Sequence, residues 1–297
     1  MRKISFSFLI LCMFFSLILT GCSNETTTED TKSKVSQELE YLDKKILTIA
    51  NKLNNITLQN YTISSKEVLL GEESSSSGQS SEQGNSSGGN DSQQKQSTIQ
   101  NGGEQSKESN ITTTQIEAKP ILSTDKSDIN WDDIKNEIEI INRDWSVVIL
   151  DLSSLNLDNE EILGFSSALD DCTLSIKNEN KADALINVSK LYSYIPKFEK
   201  AISADKNTQN IKQVKANIIN AYSFVEQENW LETEASLKES EILFKEVAND
   251  LEYIKDKEYK INKTYVFIKE LQNSLSYKDK DLFYVKYKNL IESINTL

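Results

Sequence analysis

Residues 130–155, NWDDIKNEIEIINRDWSVVILDLSSL, decide the fold. Trp131, Ile134, Ile138, Ile141, Trp145, Val148, Leu152 and Leu155 recur at alternating three- and four-residue steps. That spacing lines one flank of an α-helix with apolar side chains and leaves the opposite flank to charge. Asp128 or Asn130 can cap the helix, and Asp132 and Asp133 fall in its first turn, where negative charge suits the helix dipole.

The same reading extends to the C-terminus. Asp158 starts a second helix, with Glu161 three residues on as in a capping box, and an apolar stripe of Ile162, Phe165, Leu169, Cys172 and Ile176. A third carries Leu185, Val188, Leu191, Tyr192 and Ile195, and Pro196 ends or kinks it. Ile211, Val214, Ile218, Tyr222 and Val225 mark a fourth. The pattern then restarts at an offset of 99: Asn229-Trp230 matches Asn130-Trp131, Val247 matches Val148, Ile261 matches Ile162, and Leu290 matches Leu191. Asp279-Lys280 also falls where Asn180-Lys181 does, although any two amphipathic helices share a period. The expected architecture is all-α, an antiparallel multi-helix bundle of seven helices over 129–297, built as two related three-helix units and a joining helix at 208–227. No stretch alternates like a half-buried strand, and two Pro with nine Gly leave little material for tight turns.

N-terminal to this domain, Val35, Leu39, Leu42, Ile46, Ile49, Leu53 and Ile56 form another seam, predicting a helix over 33–57 within a segment reaching residue 70. Between them, 71–128 is a Ser-, Gly- and Gln-rich linker with almost nothing apolar across 71–110, a composition expected to stay disordered as a tether. An unpartnered seam is an interaction surface. It either folds back into a groove of the bundle or dimerises as a parallel coiled coil.

The chain begins with Arg2-Lys3 and an apolar run from Ile4 that closes on Leu19-Thr20-Gly21-Cys22. This run is short for a membrane span of ~20 apolar residues, and its basic start and small-residue exit suit a cleaved signal over 1–21. Leu-Thr-Gly-Cys resembles the lipobox of bacterial lipoproteins, which implies diacylglyceryl modification of Cys22, a polar spacer over 22–32, and lodging on the outer face of the cytoplasmic membrane. An ordinary signal peptide followed by a chance Cys is the alternative. Cys12 leaves with the signal and Cys22 is modified, so Cys172 has no partner for a disulfide.

Composition narrows the chemistry. Net charge is −13, or −15 without Arg2 and Lys3, which disfavours nucleic acid and anionic lipid surfaces as partners. The chain has no His, which removes the usual neutral-pH general base and the commonest zinc ligand. No Gly-rich phosphate loop or Gly-x-Ser-x-Gly elbow occurs. Asp132-Asp133 and Glu160-Glu161 sit at helix starts, Asp170-Asp171 beside a stripe, and neighbours on a helix do not face each other. No catalytic, cofactor-binding or metal-ligating residue is therefore assigned. Cys172 reads as a small buried hydrophobe. The run from Lys278 to Leu290 reads as a core helix with Leu282, Val285, Leu290 and Ile294 inside and lysine stems at the rim.

Four stretches resemble uncharacterised lipoproteins of spore-forming low-GC Gram-positive bacteria. They are Leu53-Asn-Asn-Ile-Thr-Leu-Gln-Asn-Tyr61, Ile149-Leu-Asp-Leu-Ser-Ser-Leu-Asn-Leu157, Lys190-Leu-Tyr-Ser-Tyr-Ile-Pro-Lys197 and Lys263-Thr-Tyr-Val-Phe-Ile-Lys-Glu-Leu271. The resemblance implies a membrane-anchored envelope protein and no particular activity. The expected function is a lipid-anchored interaction or structural module that binds a protein or peptide through a bundle face or groove. A receptor for a small ligand or cell-wall fragment, with an aromatic-lined pocket, is the alternative.

Overall fold

The computed structural model describes the backbone of residues 24–58, 120–123, 128–155 and 157–297, which belong to one compact body. The predicted signal over 1–21, Cys22, the segment 59–70 and the linker segment 71–119 lie outside the described residues. All regular structure among the described residues is helical. The helices are α1 (Asn24–Lys52), α2 (Trp131–Ser154), α3 (Asn159–Lys177), α4 (Lys181–Tyr192), α5 (Ile195–Ile202), α6 (Lys206–Glu226), α7 (Trp230–Ala248), α8 (Leu251–Ile254), α9 (Glu258–Ser274) and α10 (Lys280–Ile294).

Caps set the boundaries. Asn130, Asp158, Asn180, Asp205, Asn229, Asp250 and Asp279 each accept a backbone N–H with the side chain, satisfying donors that a helix start leaves orphaned. Pro196 does not sit inside a kinked helix. It falls in the first turn of α5, where its missing N–H costs nothing, so α4 stops at Tyr192 and the chain restarts. Gly164 on α3 admits the ring of Tyr194, since a Cβ there would lie 2.5 Å from the Tyr194 hydroxyl.

The repeat is visible in the helix starts. α7, α9 and α10 begin at 230, 258 and 280, and α2, α3 and α4 at 131, 159 and 181, a constant offset of 99. The left-handed residues before the third helix of each unit, Glu179 and Lys278, keep that offset, with φ 56° and 50°. The match breaks at Leu152, which is fully buried, against Leu251, which is 79% exposed where α7 has stopped and the short α8 begins.

A fourth helix belongs to each unit. α1 and α6 end alike: the amide of Ile56 donates to the Asn51 carbonyl at 2.9 Å, that of Asn229 to Phe224 at 3.0 Å, and Asn55 and Glu228 are left-handed. These pairs share an offset of 173. α1 runs antiparallel to α2, as Lys34 pairs with Asp151 and Lys52 with Asp133, while α6 packs along α7. At the same two offsets the Lys34–Asp151 contact becomes Asn207–Asp250, a hydrogen bond of 2.7 Å. The joining helix is therefore the counterpart of the N-terminal helix. In the second unit a short turn connects that helix to the next. In the first unit the chain makes its long excursion between Leu58 and Pro120, and Asn55 Nδ2 donates to the Asp128 carbonyl at 2.9 Å, drawing the ends together.

The seam read for the N-terminal segment is wholly interior: Val35, Leu39, Leu42, Ile46, Ile49, Leu53 and Ile56 are all buried. α1 packs against α2, α4 and α5, and α6 against α4, α5, α7 and α10, so these two helices form the centre. In α10 Leu290 and Ile294 are inside as expected, and the first two turns differ by one or two positions. Phe283, Tyr284, Tyr287, Leu290, Ile291 and Ile294 are inside, and Leu282 and Val285 only half-buried, because the tyrosine-bearing flank meets Tyr222.

Candidate functional site

The most chemically loaded locus is a buried ion cluster where α1, α4 and α6 meet. Asp43 sits on the polar margin of the α1 seam, one residue past buried Leu42. Its Oδ1 accepts from Lys215 Nζ at 2.6 Å and from the Tyr192 hydroxyl at 2.7 Å, and its Oδ2 from Lys212 Nζ at 2.7 Å. Burial works to raise the Asp43 carboxyl, but the two ammonium groups outweigh it and hold the group well below the usual carboxylate range. The same burial pulls Lys215 down against the pull of Asp43. Glu199 of α5 stands nearby, and burial raises its carboxyl despite Lys212.

This cluster floors a concavity of about 800 Å³ whose walls include Glu40, Lys44, Tyr253, Lys263 and Phe267. Part of its charge is paired within the lining: Lys44 pairs with Glu40 at 2.6 Å, Lys212 and Lys215 share Asp43, and the Lys263 ammonium lies over the Phe267 ring. Such a site is suited to fixing helix register.

A second buried polar group joins α1 to α6 and α10. Asn54 Nδ2 donates to the Tyr222 hydroxyl at 2.6 Å, that hydroxyl donates to the Ala50 carbonyl at 3.1 Å, and the Tyr287 hydroxyl donates to Asn51 Oδ1 at 3.1 Å. The Tyr222 and Tyr287 rings stack at 4.4 Å between centroids. Both hydroxyls are spent holding helices, and burial raises the two phenols well above their ordinary range.

The carboxylate pairs singled out by sequence stay apart from these clusters. Asp132 and Glu160 are exposed at helix starts, Asp133 pairs with Lys52, and Asp170 is exposed while Asp171 pairs with Lys190 at 2.8 Å. Cys172 is fully buried, and burial, with Asp171 adding to it, pushes its thiol up to about 12, so it carries no thiolate near neutral pH. Among the described residues no three His, Cys, Asp or Glu side chains converge as a metal would require. Within them, no helix is long and apolar enough to cross a membrane. The lipidation candidate Cys22 lies outside them.

A surface feature went unread in the sequence. The outer flank of the α7–α9 hairpin carries exposed Leu231 and Ile242 on α7, and Tyr259 and Val266 on α9, with Tyr277 just beyond. Leu231 and Ile242 share a flank by helical period, as do Tyr259 and Val266. Between the two lines Glu241 accepts from Tyr265 and Lys269 and pairs with Lys245. At the matching positions of the first unit stand Asp132, Arg143, Glu160, Ser167 and Asn178. The fold therefore does not require apolar residues there. The first unit instead exposes Leu150, Leu163 and Leu174, where the second has Asn249, Asn262 and Asn273.

No known protein family matches the chain, and comparison with curated proteins and with solved structures finds no match either.

Proposed function

We propose that the chain is a non-enzymatic interaction module, anchored through lipid at Cys22 on the outer face of the cytoplasmic membrane, which binds a protein or peptide partner through the outer flank of α7 and α9. The observation that carries this reading is the apolar residues of that flank, Ile242 58% and Val266 52% exposed, at positions the first unit fills with polar ones. Exposed large apolar groups cost solubility, and where folding does not demand them they favour a partner. The anchor rests on the Leu19-Thr20-Gly21-Cys22 signal. The small-ligand reading stands second, because Asp43, Lys44, Lys212 and Lys215 of the concavity already engage one another or Glu40.

A photo-crosslinking residue placed at exposed Lys238 tests this directly, with its counterpart Glu139 as control. In intact cells the expected result is a discrete adduct from position 238 and none from 139. The double variant I242E/V266E loses that adduct while melting within about 4 °C of the parent, since each exposed substitution alters stability by only ~0.5 kcal/mol and each kcal/mol is worth about 2–4 °C. In parallel, Cys22→Ser moves the protein from the membrane fraction to the medium. Equal adducts from both positions would remove the proposed face, and a membrane-bound Cys22→Ser protein would remove the anchor.

A further inference from the structure

The two halves of the molecule solve one packing problem in opposite ways. Along the α6–α7 seam of the second unit the facing residues include Val214, Ile218, Val225 and Leu243, all at least half-buried. Along the equivalent α1–α2 seam the same positions hold Tyr41, Lys45, Lys52 and Asp144. This seam is closed by polar contacts. The Tyr41 hydroxyl donates to Asp144 Oδ2 at 2.8 Å, Lys45 and Lys52 each donate to Glu137 at 2.8 Å, and Lys52 pairs with Asp133 at 2.9 Å. Arg143 Nε donates to Asp144 Oδ1 at 2.9 Å from the solvent side.

One contact on this seam does not balance. Glu38 is 2% exposed, at the position where the second unit has Ile211. Neither of its carboxyl oxygens, nor Oδ2 of the neighbouring Asp151 on α2, has a well-directed hydrogen-bond donor. The charged groups facing Glu38 are Asp151 and, one turn back on α1, Lys34, whose ammonium lies 2.8 Å from Asp151 and 3.7 Å from Glu38. A single ammonium serves two adjoining carboxyls. The pair is electrostatically satisfied when one proton is shared between them and carries an excess negative charge when it is not.

We propose that Glu38, Asp151 and Lys34 form a proton-operated latch on the α1–α2 seam, closed while Glu38 is protonated and loosened when it ionises. Burial first, and the Asp151 carboxylate second, push the Glu38 carboxyl up to about 7, against an ordinary value of 4.5. Docked α1 thus binds more protons than undocked α1 between those values. Stabilisation by this group is complete below pH 4.5 and is lost as pH rises through 7. Each step of one in pH between the two values is worth tenfold in equilibrium, so the docking constant falls on the order of a hundredfold across the window. Glu199, also raised by burial, lies on α5 near Asp43 and is common to every variant below.

Amide hydrogen exchange of residues 35–46, corrected for intrinsic rates, reads the latch in the full chain between pH 5 and 8. The parent is expected to lose protection in α1 relative to α7 as pH rises, and Glu38→Gln, which keeps the shape without the charge, to lose markedly less, retaining only what Glu199 contributes. Asp151→Asn moves the midpoint of the parent transition downward. Carboxyl NMR is expected to find the Glu38 midpoint near 7 in the parent. A midpoint near 4.5, or the same pH dependence in parent and Glu38→Gln, would overturn the latch.

Discussion

Asp43→Ala is expected to lower the melting temperature by about 10 °C, the largest effect of any single substitution in the interior. The variant leaves the Lys212 and Lys215 ammonium groups inside the fold without the carboxylate on which both close at 2.7 and 2.6 Å. Breaking a buried pair from one side costs about 3–5 kcal/mol, and in a chain of this size each kcal/mol is worth about 2–4 °C. Asp43→Asn should fall nearly as far, because an amide keeps the shape and loses the charge. Adding Lys215→Met to Asp43→Leu should recover much of the loss, since an apolar pair of similar volume is often neutral or better than a buried ion pair. Circular dichroism at 222 nm measures all three. A fall below about 2 °C for Asp43→Ala would mean that the cluster is open to water and has little hold on α1.

Deleting residues 24–58 is expected to abolish cooperative unfolding of the remainder. The deleted segment contributes Val35, Leu39, Leu42, Ile46, Leu47, Ile49, Leu53 and Ile56 to the core, all buried. At roughly 1.5–3 kcal/mol for each large apolar side chain, their removal exceeds the ~5–15 kcal/mol by which a typical domain is stable. The groove left behind would also strand Tyr192, Lys212 and Lys215 without Asp43, and Tyr222 without Asn54 and the Ala50 carbonyl. Calorimetry of the truncated chain, alone and with a peptide spanning 24–58, measures the effect. A broad or missing transition that sharpens on adding the peptide is the expected outcome. An unchanged melting point would mean that α1 is an appendage.

Much of this architecture was legible because water exclusion writes a period into sequence. Both the seven-residue seam of α1 and the stripe of α2 from Ile134 to Leu152 are interior where the three-four spacing places them. The caps Asn130 and Asp158 marked the starts of α2 and α3. The offset of 99 was visible because turns as well as stripes repeat. The start of α1 was not legible. Residues 24–32 are helical nine positions ahead of the expected start, yet they are polar and carry no apolar stripe that would mark them. The ion cluster was hidden for a different reason. Asp43 and Lys215 are 172 residues apart, and charges on the edge of a stripe look the same whether solvated or paired. The shift in α10 has a similar origin, since Leu282 and Val285 fit a stripe as well as Phe283 and Tyr287 do. What decided between them was the stacking of Tyr287 on Tyr222, which no local pattern encodes.

The placement of the excursion inside the first unit has a kinetic consequence. Uniting α1 with α2 requires a loop whose ends, Asn55 and Asp128, are 73 positions apart, whereas α6 reaches α7 across a turn of three residues. Closure entropy rises with loop length, and chains dominated by nearby contacts collapse fastest. The α6–α7 pairing of the second unit is therefore expected to form before α1 meets α2, and the α1–α2 seam carries the larger entropic cost of closure.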